Sequence, residues 1–456
     1  MHNNKQTQEE RLANHENPRA YLFGLEQFGI KLGLHNIRIL TAALESPESS
    51  FHSILVAGTN GKGSVAAMIE CGLRKAGYHT GLYTSPHLSH LRERFVVNGQ
   101  AIDQLTLLQE AEGIQNIIAL LQTQGTLRTP PTFFEATTAL ALSLFRRSQV
   151  EVAILEVGLG GRFDATNVVK PIAVAIPSID LDHEQYLGTT LAQIAFEKAG
   201  VIATNSVVVS AEAKSEPSAV LRAAAASKRA RYIRADEDTT ISYHIEKDGE
   251  SHIRKAVTPR ASYGPIRLSL RGHHQVTNAA VTIRLLEELA TFGLTIPPSA
   301  IEIALSQTEW PGRLELVSVT PNRRVLLDPA HNVASALALA EYIRGWQPSG
   351  IPFVFSAFRD KNINGILRAF GNAVSQITCT TIDSPRACTL ENLLRITCSA
   401  RPDLPVTAVA DPNEALETSW QFGPLVVVTG SVFLVGKFRD ILTLIEEKAT
   451  PTPNQM

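Results

Sequence analysis

A glycine-rich segment, residues 58–64, combines residue types that could hold a phosphate group. Its residues are Gly58, Thr59, Asn60, Gly61, Lys62, Gly63 and Ser64. Glycines allow backbone N–H groups to close around an anion, Lys62 adds a positive charge, and the Ser64 hydroxyl could bind Mg²⁺. The segment follows an apolar run that ends at Ala57 and precedes a helix-like stretch, whose positive end would point at the anion. We therefore predict a phosphate-binding loop.

This segment departs from the strict Walker pattern of phosphate-binding loops. Gly63, rather than Ser or Thr, follows Lys62, and only two residues separate Gly58 from the Gly-Lys pair. An ordinary glycine-rich turn between a strand and a helix would explain the glycines. It would not explain a lysine between two of them, so phosphate binding is the interpretation that we favour.

Polar side chains follow several other apolar runs, at the points where strands would end. Glu156 ends one run, where a carboxylate could hold Mg²⁺, although the same residue could cap a turn or a helix. Ser85 follows a second run, and the pair Asp182-His183 follows a third. A single serine is more often a turn residue, and a single histidine is more often a surface or core residue. Their shared position at strand ends favours a common site.

Lys198 contradicts the helical pattern around it. Leu191, Ile194 and Ala195 define an apolar helix face, and Lys198 falls on that same face. Because a buried bare ammonium is costly, the side chain could instead extend towards solvent at the helix end near Gly200. The functional alternative is a chemically altered lysine, such as a carbamate whose carboxylate neutralises a metal cluster. Periodicity alone favours the first explanation.

The elements that must position these residues alternate along the chain. Short apolar runs are separated by amphipathic segments, which is typical of parallel sheets covered by helices. Strands are predicted at residues 54–57, 80–83, 152–157 and 172–176. The pattern indicates a doubly wound α/β domain with a P-loop that binds a nucleotide. Residues 231–270, with a turn at Asp248-Gly249, predict a small antiparallel excursion before a helix at 276–289.

A second alternating block follows Trp310-Pro311-Gly312 and predicts a smaller Rossmann-like α/β domain. Its strands are predicted at residues 324–327, 353–356, 377–381, 406–409 and 425–429. The predicted organisation is a disordered tail (1–18), a P-loop domain (19–308), the Rossmann-like domain (309–447) and a frayed tail (448–456). Two such domains would face each other across a cleft where two substrates could meet.

Composition excludes several classes of protein. The chain has 456 residues, of which 44% are hydrophobic and 19% charged, with a formal net charge of −2. The balanced charge gives no indication of binding to nucleic acid or to a membrane surface, and no stretch is long and apolar enough to span a bilayer. Four cysteines without metal or redox spacing fit a reducing cytoplasm.

Together, the motifs resemble the folylpolyglutamate synthase/dihydrofolate synthase family, which belongs to the Mur-type ATP-dependent ligases. The resemblance extends from about Tyr21 to Leu444. In the first block its motifs are residues 58–64, 84–88, 132–135, 156–167, 182–183 and 197–200, and in the second block they are residues 310–313, 327–332, 360–361 and 430–431. The family has the shortened Gly-Thr-Asn-Gly-Lys-Gly-Ser loop, which accounts for the departure from the Walker pattern.

The resemblance implies roles for individual residues. Lys62 and Ser64 would hold the phosphates of ATP, with Ser85 and Glu156 on one Mg²⁺ and His183 on a second. Lys198 matches the lysine that is carbamylated in the family, which reverses the preference drawn from periodicity. The matches to nucleotide-contacting positions are Asn278, Arg313 and Asp328. The matches to the pterin-substrate region are Thr132, Phe133, Phe134, Glu135, Phe163, Asp164 and Ala165. The matches to the glutamate site are His331 and Ser431.

The implied activity is ligation of L-glutamate to dihydropteroate, to a reduced folate, or to both, through an acyl phosphate. Two alternatives are a different Mur-type ligase, such as a cell-wall peptide ligase, and a nucleotide-binding regulator without turnover. Residues 85–88 and 328–332 speak against the first, and the full set of metal-binding positions speaks against the second. Because family members are commonly monomeric, the resemblance also implies a monomer.

Overall fold

The computed structural model describes residues 17–246 and 249–449. Near the start, Asn17 caps a helix that begins at Pro18, so these two residues of the predicted tail are ordered. At the other end, the last helix continues to Ala449, two residues into the predicted frayed tail. The rest of both predicted tails, and Asp248 of the predicted turn, lie outside the described residues.

The first sheet carries the phosphate loop. Its strands are β1 (His52–Val56), β2 (Thr80–Tyr83), β3 (Phe95–Val97), β4 (Gln100–Ala101), β5 (Val152–Glu156), β6 (Ala173–Ile176), β7 (Val207–Ser210) and β8 (Arg231–Arg234). Their spatial order is β4-β3-β2-β5-β1-β6-β7-β8. At one edge β3 pairs antiparallel with both β2 and β4, and all other neighbouring strands pair in parallel. The strands predicted for the first block are confirmed.

Helices cover both faces of this sheet. They are α1 (Pro18–Gly24), α2 (His35–Ala43), α3 (Lys62–Lys75), α4 (Gln104–Thr123), α5 (Phe133–Arg147), α6 (Glu184–Leu187), α7 (Leu191–Ala199), α8 (Ser215–Ser227), α9 (Ala235–Asp238), α10 (His273–Glu288) and α11 (Pro298–Gln307). Ile54 and Ile154 pack into the core on one face, and Leu55 and Leu155 into the core on the other. Burial on both faces accounts for the near-continuous apolar runs in the sequence.

The antiparallel excursion is smaller than predicted. Its strands are β9 (Thr240–Ile245), β10 (Ser251–Val257), β11 (Ser262–Tyr263) and β12 (Ile266–Arg267). The prediction was wrong at its start, because β8 pairs in parallel with β7 as the outer strand of the first sheet. An edge strand with one exposed face alternates in polarity as an antiparallel strand does, so the pattern does not distinguish them. Gly249 has φ 84°, as a turn glycine requires.

The second domain is a smaller α/β unit. Its strands are β13 (Glu315–Thr320), β14 (Arg323–Leu327), β15 (Ile351–Phe355), β16 (Val374–Cys379), β17 (Val406–Ala408) and β18 (Leu425–Thr429). Its helices are α12 (Val333–Trp346), α13 (Ile363–Ala369), α14 (Leu390–Ala400), α15 (Pro412–Trp420) and α16 (Val432–Ala449). The order β13-β14-β18-β15-β16-β17 is parallel apart from β13. The strands predicted for this block are confirmed.

The two domains meet at the carboxyl edge of the first sheet. Asn332, which caps α12 of the second domain, donates a hydrogen bond of 3.0 Å from Nδ2 to Oδ1 of Asn60 in the phosphate loop. Nearby, Ser89 Oγ donates to the backbone oxygen of Gly436 at 3.2 Å. Within residues 17–246 and 249–449, no helix has the length and apolarity that crossing a membrane requires.

Candidate active site

A cavity of about 390 Å³ opens beside the carboxyl edge of the first sheet and extends to the second domain. Most of the predicted site residues line it. They are Gly58, Thr59, Asn60, Gly61, Lys62, Gly63, Ser64, Ser85, Glu156, His183, Lys198, Asn278, Arg313, Asp328 and His331. Parallel strands deliver the loops that follow them to one edge of the sheet, so residues from distant parts of the chain meet here.

The phosphate loop begins helix α3 in a form that suits an anion. Gly61 has φ 83°, and no side chain of the described residues caps the start of the helix. Lys62 Nζ donates a hydrogen bond of 3.1 Å to the backbone oxygen of Thr59. Burial lowers the pKa of Lys62, and the carboxylates of Glu156 and Asp182 oppose that shift. The helix therefore presents an uncapped positive end and a lysine together.

Packing explains why glycine, rather than serine or threonine, follows Lys62. A Cβ atom on Gly63 would lie 2.7 Å from Cζ2 of Trp310, well inside normal contact distance. A Cβ atom on Gly61 would lie 2.6 Å from Oδ1 of Asn278. Trp310 belongs to the segment between the two domains, so the departure from the Walker pattern is a steric requirement for as long as the indole keeps this position.

Glu156 lies next to the phosphate loop because β5 and β1 are adjacent and in register, with Glu156 opposite Val56. The backbone N–H of Ser85 donates a hydrogen bond of 3.1 Å to Oε2 of Glu156. Burial raises the pKa of the Glu156 carboxyl, and the charge of Lys62 opposes that shift. With the hydroxyls of Ser85 and Ser64 in the same cavity, this carboxylate supplies oxygen ligands of the kind that Mg²⁺ prefers.

The protein ligands for a metal ion are few. Across the described part of the chain, no group of three or more His, Cys, Asp or Glu side chains is arranged to hold a metal ion. A Mg²⁺ ion at Glu156 would therefore need hydroxyl, water or phosphate oxygens as its other ligands, which is usual for Mg²⁺ in nucleotide sites.

Lys198 lies deep in the protein rather than extending to solvent. It is 5% exposed, and its Nζ donates a hydrogen bond of 2.7 Å to the backbone oxygen of Gly58. Burial and the nearby charge of Lys62 lower the pKa of Lys198 to about 7. The explanation in which this side chain reaches solvent at the helix end is therefore wrong. A substantial fraction of neutral amine is available near neutral pH.

Asp182 and His183 lie at the junction of the two domains. Asp182 Oδ1 lies 2.6 Å from Nζ of Lys361, and Asp182 Oδ2 accepts a hydrogen bond of 3.1 Å from Nδ2 of Asn332. His183 has φ 52°, which is uncommon for a residue with a side chain, and its Nε2 lies 3.5 Å from Nζ of Lys361. His331 Nε2 lies 3.7 Å from Asp182 Oδ2. Asp182 thus contacts three side chains of the second domain, those of Lys361, Asn332 and His331, beside the His183 loop.

The charges at this junction are strongly coupled. Burial would raise the pKa of Asp182, but the Lys361 ammonium holds it far below its usual value. Burial, and then the charge of Lys361, lower the pKa of His183 and of His331 to about 4. Both imidazoles are therefore neutral near pH 7, which is the form in which histidine binds a metal ion.

The three predicted nucleotide-contacting residues lie on one side of the cavity. Asp328 accepts hydrogen bonds from the backbone N–H groups of Leu314 at 3.2 Å and Ala330 at 3.1 Å. Burial raises the pKa of Asp328 to about 6, although Arg313 opposes the shift. Asn278 lies on α10 beside Gly61, so the phosphate loop, α10 and the start of the second domain share this wall.

Polar residues predicted for the pterin region are engaged within the fold and lie outside this cavity. Thr132 Oγ1 accepts from the N–H of Glu135 at 3.1 Å, and Glu135 Oε2 accepts from the N–H of Thr132 at 2.7 Å, which caps α5. Asp164 accepts from the N–H of Leu159 at 2.8 Å and from Oγ1 of Thr166 at 2.6 Å. Their contribution to a substrate site stays a prediction.

The predicted aromatic residues of that region already have partners. Phe133 stacks on Phe23 with ring centroids 5.6 Å apart, and the guanidinium of Arg94 lies 5.0 Å from its centroid. Phe163 is 39% exposed, and the guanidinium of Arg162 lies 4.3 Å from its ring centroid. Phe163 is the more accessible of the two rings for stacking.

The remaining predicted residues occupy packing or capping positions. Phe134 packs against Tyr83 with ring centroids 6.0 Å apart, and Ala165 is buried. Ser431 is 3% exposed and accepts a hydrogen bond of 3.2 Å from the N–H of Phe433. Unlike His331, Ser431 does not line the cavity.

A second cavity of about 720 Å³ adjoins the first and lies wholly at the domain junction. Lys361 and Asn332 reach its wall together with Asp182, His183 and His331. Sequence reasoning gave Lys361 and Asn332 no individual role. The signal that could have found them is their position after strands β15 and β14, where the other site residues also lie.

The chain matches two known domain families. Residues 56–286 match the Mur ligase middle domain, and residues 312–432 match the Mur ligase glutamate ligase domain. The dihydrofolate synthase/folylpolyglutamate synthase of Bacillus subtilis is 34% identical over 434 residues, which cover 93% of this chain and 98% of the relative.

Solved structures of similar proteins cover nearly the whole chain. Folylpolyglutamate synthase of Mycobacterium tuberculosis, complexed with ADP and AMPPCP, has 30% identity and a TM-score of 0.85, covering 93% of this chain and 99% of that one. A bifunctional folylpolyglutamate synthase/dihydrofolate synthase with Mn, AMPPNP and L-glutamate bound has 28% identity and a TM-score of 0.79, covering 94% and 98%.

Proposed function

This chain belongs to the dihydrofolate synthase/folylpolyglutamate synthase family of Mur ligases, and on that premise we propose that it ligates L-glutamate with the use of ATP. The acceptor is dihydropteroate, a reduced folate, or both. The similar proteins are folate enzymes, which favours this activity over a cell-wall peptide ligase or a regulator without turnover.

One observation supports the proposal most directly. The uncapped phosphate loop, the buried carboxylate of Glu156 and the buried amine of Lys198 line one cavity, and His331 of the second domain lines it too. A nucleotide held by the loop would therefore have its phosphates beside the residues that a ligase needs.

The first step activates a carboxylate. The acceptor carboxylate would attack the γ-phosphate of ATP in line, so that ADP leaves and an acyl phosphate forms. Lys62 and the backbone N–H groups of the loop would stabilise the charge on the transferred phosphoryl group. Without phosphorylation, amide formation would have to expel an oxide ion from the acceptor carboxylate, and oxide is too poor a leaving group.

The donor set fits a divalent cation at Glu156. Glu156, Ser85 and Ser64 would hold one Mg²⁺, and the neutral imidazole of His183 would hold a second. Bound there, the cations would neutralise charge on the phosphates. Similar structures with a divalent metal support the use of a metal, whereas the number of sites is our proposal.

Lys198 would act as a carbamate. Its neutral amine attacks CO₂, a C–N bond forms and one proton is released, so that the neutral amine becomes a carboxylate. Two observations support this proposal: Lys198 Nζ donates a hydrogen bond to Gly58 of the loop, and its pKa of about 7 leaves part of the amine neutral near pH 7. The carboxylate would face a region that Lys62 and the metal ions make positive.

The second step forms the amide. The neutral amine of glutamate attacks the acyl carbon, and the tetrahedral intermediate expels phosphate as the amine loses a proton. Hydrolysis of the acyl phosphate would compete, so water has to be excluded. The contacts of Asn60 and Asp182 with the second domain are placed to close the site over the intermediate.

ADP release measured with either acceptor tests the proposed function. Purified protein is given ATP, Mg²⁺ and labelled glutamate with dihydropteroate or with tetrahydrofolate, and the product mass is determined. We expect ADP release that depends on the acceptor, together with a mass increase of one glutamate. Absence of acceptor-dependent ADP with both acceptors would contradict the proposal. We further propose that the enzyme acts as a cytoplasmic monomer, with the boundary between its P-loop domain and its Rossmann-like domain near residues 308–309.

A further inference from the structure

Arg94 is a buried cation beside the candidate active site to which the mechanism above gives no role. It lies at the end of the single turn Leu91–Arg94, just before β3, and is 6% exposed. The antiparallel pairing of β3 with β2 brings it opposite Thr84, whose N–H donates to the backbone oxygen of Arg94 at 3.2 Å. The next residue is Ser85, which hydrogen-bonds to Glu156. Chain topology thus places Arg94 next to the proposed metal ligands.

The guanidinium lacks a carboxylate partner. Within residues 17–246 and 249–449, no Asp or Glu oxygen lies within 4.0 Å of it. Its Nε donates a hydrogen bond of 2.9 Å to Nδ1 of His87, and the hydroxyl of Tyr83 also interacts with the guanidinium. Phe133 lies against the guanidinium plane, with its centroid 5.0 Å from Cζ. Glu26 and Glu156 favour the charged form of Arg94 from beyond ion-pair distance, so this buried guanidinium is only partly stabilised until an anion joins it.

His87 adds a second donor at the same place. Because its Nδ1 accepts the hydrogen bond from Arg94, the proton of the neutral ring is on Nε2. The ring of Phe23 lies edge-on to His87 with centroids 6.4 Å apart, and Phe23 stacks on Phe133. Arg94 and His87 thus lie among aromatic rings on the side of Glu156 away from the phosphate loop.

We propose that Arg94, together with the Nε2–H of His87, binds the carboxylate that is to be activated and holds it beside Ser85 and Glu156. The inference rests on the proposed function, which requires an acceptor carboxylate at this position. A guanidinium recognises a carboxylate through paired N–H groups and so selects it over a neutral group of the same shape. Phe133 and Phe23, which stack on each other, make the surroundings of Arg94 apolar, and this suits an acceptor whose carboxylate is attached to an aromatic ring.

Comparison of two ligands tests this inference. Binding of dihydropteroate and of its carboxamide analogue to the full chain is measured with Mg²⁺ and ADP present. We expect the wild type to bind the carboxylate at least about tenfold more tightly than the amide. Arg94→Gln should remove most of this preference, because it weakens binding of the carboxylate far more than binding of the amide. A purely structural role for Arg94 would weaken both ligands equally, and that result would overturn the inference.

Arg92→Gln is the matched control, because Arg92 is exposed on the same turn and should keep the full preference. If Arg94→Gln does not fold, Arg94→Lys serves instead. It should show a reduced preference for the carboxylate, since lysine keeps the positive charge but lacks the paired N–H groups of the guanidinium. An unchanged preference in Arg94→Lys would then count against the inference. If the wild type turns over but binds both ligands equally, the inference about Arg94 is overturned and the proposed function stands. Absence of acceptor-dependent ADP release would instead contradict the proposed function.

Discussion

Nζ of Lys361, in the second domain, lies 2.6 Å from Oδ1 of Asp182, in the first, and both side chains are only 9% exposed. Asp182 directly precedes His183, the proposed ligand of a second Mg²⁺. The pair therefore joins the second domain to a loop of the metal site. Because Asn332 binds the other oxygen of Asp182, one carboxylate connects two separate segments of the second domain to that loop.

Breaking this pair should reduce turnover. Lys361→Met or Asp182→Asn leaves a buried group without its partner, which costs about 3–5 kcal/mol in the joined arrangement. We expect each single variant to lower kcat/KM for glutamate by at least about tenfold, and the double variant to lose little more than the worse single one. Steady-state kinetics of the double-mutant cycle measures this coupling.

Arg323→Met is the control for that cycle. Its pair with Glu417 is exposed on both sides, and exposed pairs contribute little. Losses that simply add in the double variant would show that Asp182 and Lys361 act independently.

Carbamylation of Lys198 should depend on pH. The fraction of neutral amine rises as pH increases through the pKa of about 7. With ¹³C-labelled bicarbonate, we expect a carbamate NMR signal that grows between about pH 6 and pH 8. Lys198→Ala should lose both the signal and turnover. The exposed Lys228→Ala should keep both, and a carbamate signal that survives in Lys198→Ala would refute the assignment.

Restoring the Walker pattern at residue 63 should destabilise the protein. Gly63→Ser places a Cβ against the indole of Trp310, and overpacking of this kind costs about 1–3 kcal/mol. The free energy of unfolding in urea should decrease and the Kd for ATP should increase, even though serine restores the hydroxyl of the Walker pattern.

Two variants separate this clash from a general effect of serine. Gly113→Ser, on the exposed side of α4 with nothing within 4 Å of the added Cβ, should leave stability within about 0.5 kcal/mol of the wild type. Gly63→Ser combined with Trp310→Ala should regain part of the loss. No recovery in the combined variant would mean that the indole is not the cause.

Asp328 should make stability depend on pH in an unusual direction. Its folded pKa of about 6 lies above its value of about 3.8 in the unfolded chain, so the folded state holds the proton more tightly. Its contribution is fully present below about pH 4 and is lost as pH rises through about 6. Relative to Asp328→Asn, the wild type should lose about 2–3 kcal/mol of unfolding free energy between pH 4 and pH 7.

Urea unfolding of both proteins across that range measures the difference, because the other titrating groups are common to both. A gap between the two proteins that stays constant with pH would exclude a raised pKa at Asp328.

The sequence predicts much of the fold because strands buried on both faces of a sheet appear as near-continuous apolar runs. The run that became β5, residues 152–156, is apolar except for its final glutamate, and few other structures would tolerate it. By contrast, β8 lies at an edge and alternates in polarity, so its pairing partner could not be inferred. The local sequence pattern indicates which side chains of a strand are exposed, whereas the strand it pairs with depends on the rest of the chain.

The candidate site was predicted unevenly for a similar reason. Local signals, namely a strand end, glycine spacing and helical periodicity, drew attention to Glu156, Lys62 and Lys198, although only the family resemblance implied a functional role for Lys198. Arg94 lies near Glu156, and Lys361 pairs with Asp182, only because the fold brings segments together that are distant in the sequence, which no local pattern records. Physical proximity of distant segments had to come from the structure.

The contact between Gly63 and Trp310 limits how these two positions can change over time. Neither can gain volume unless the other gives it up, so a relative with serine or threonine after the loop lysine should have a small residue in place of the tryptophan. An aligned set of relatives would then show the two positions exchanging size as a pair. Such covariation would mean that the segment between the domains constrains which residues the phosphate loop can carry.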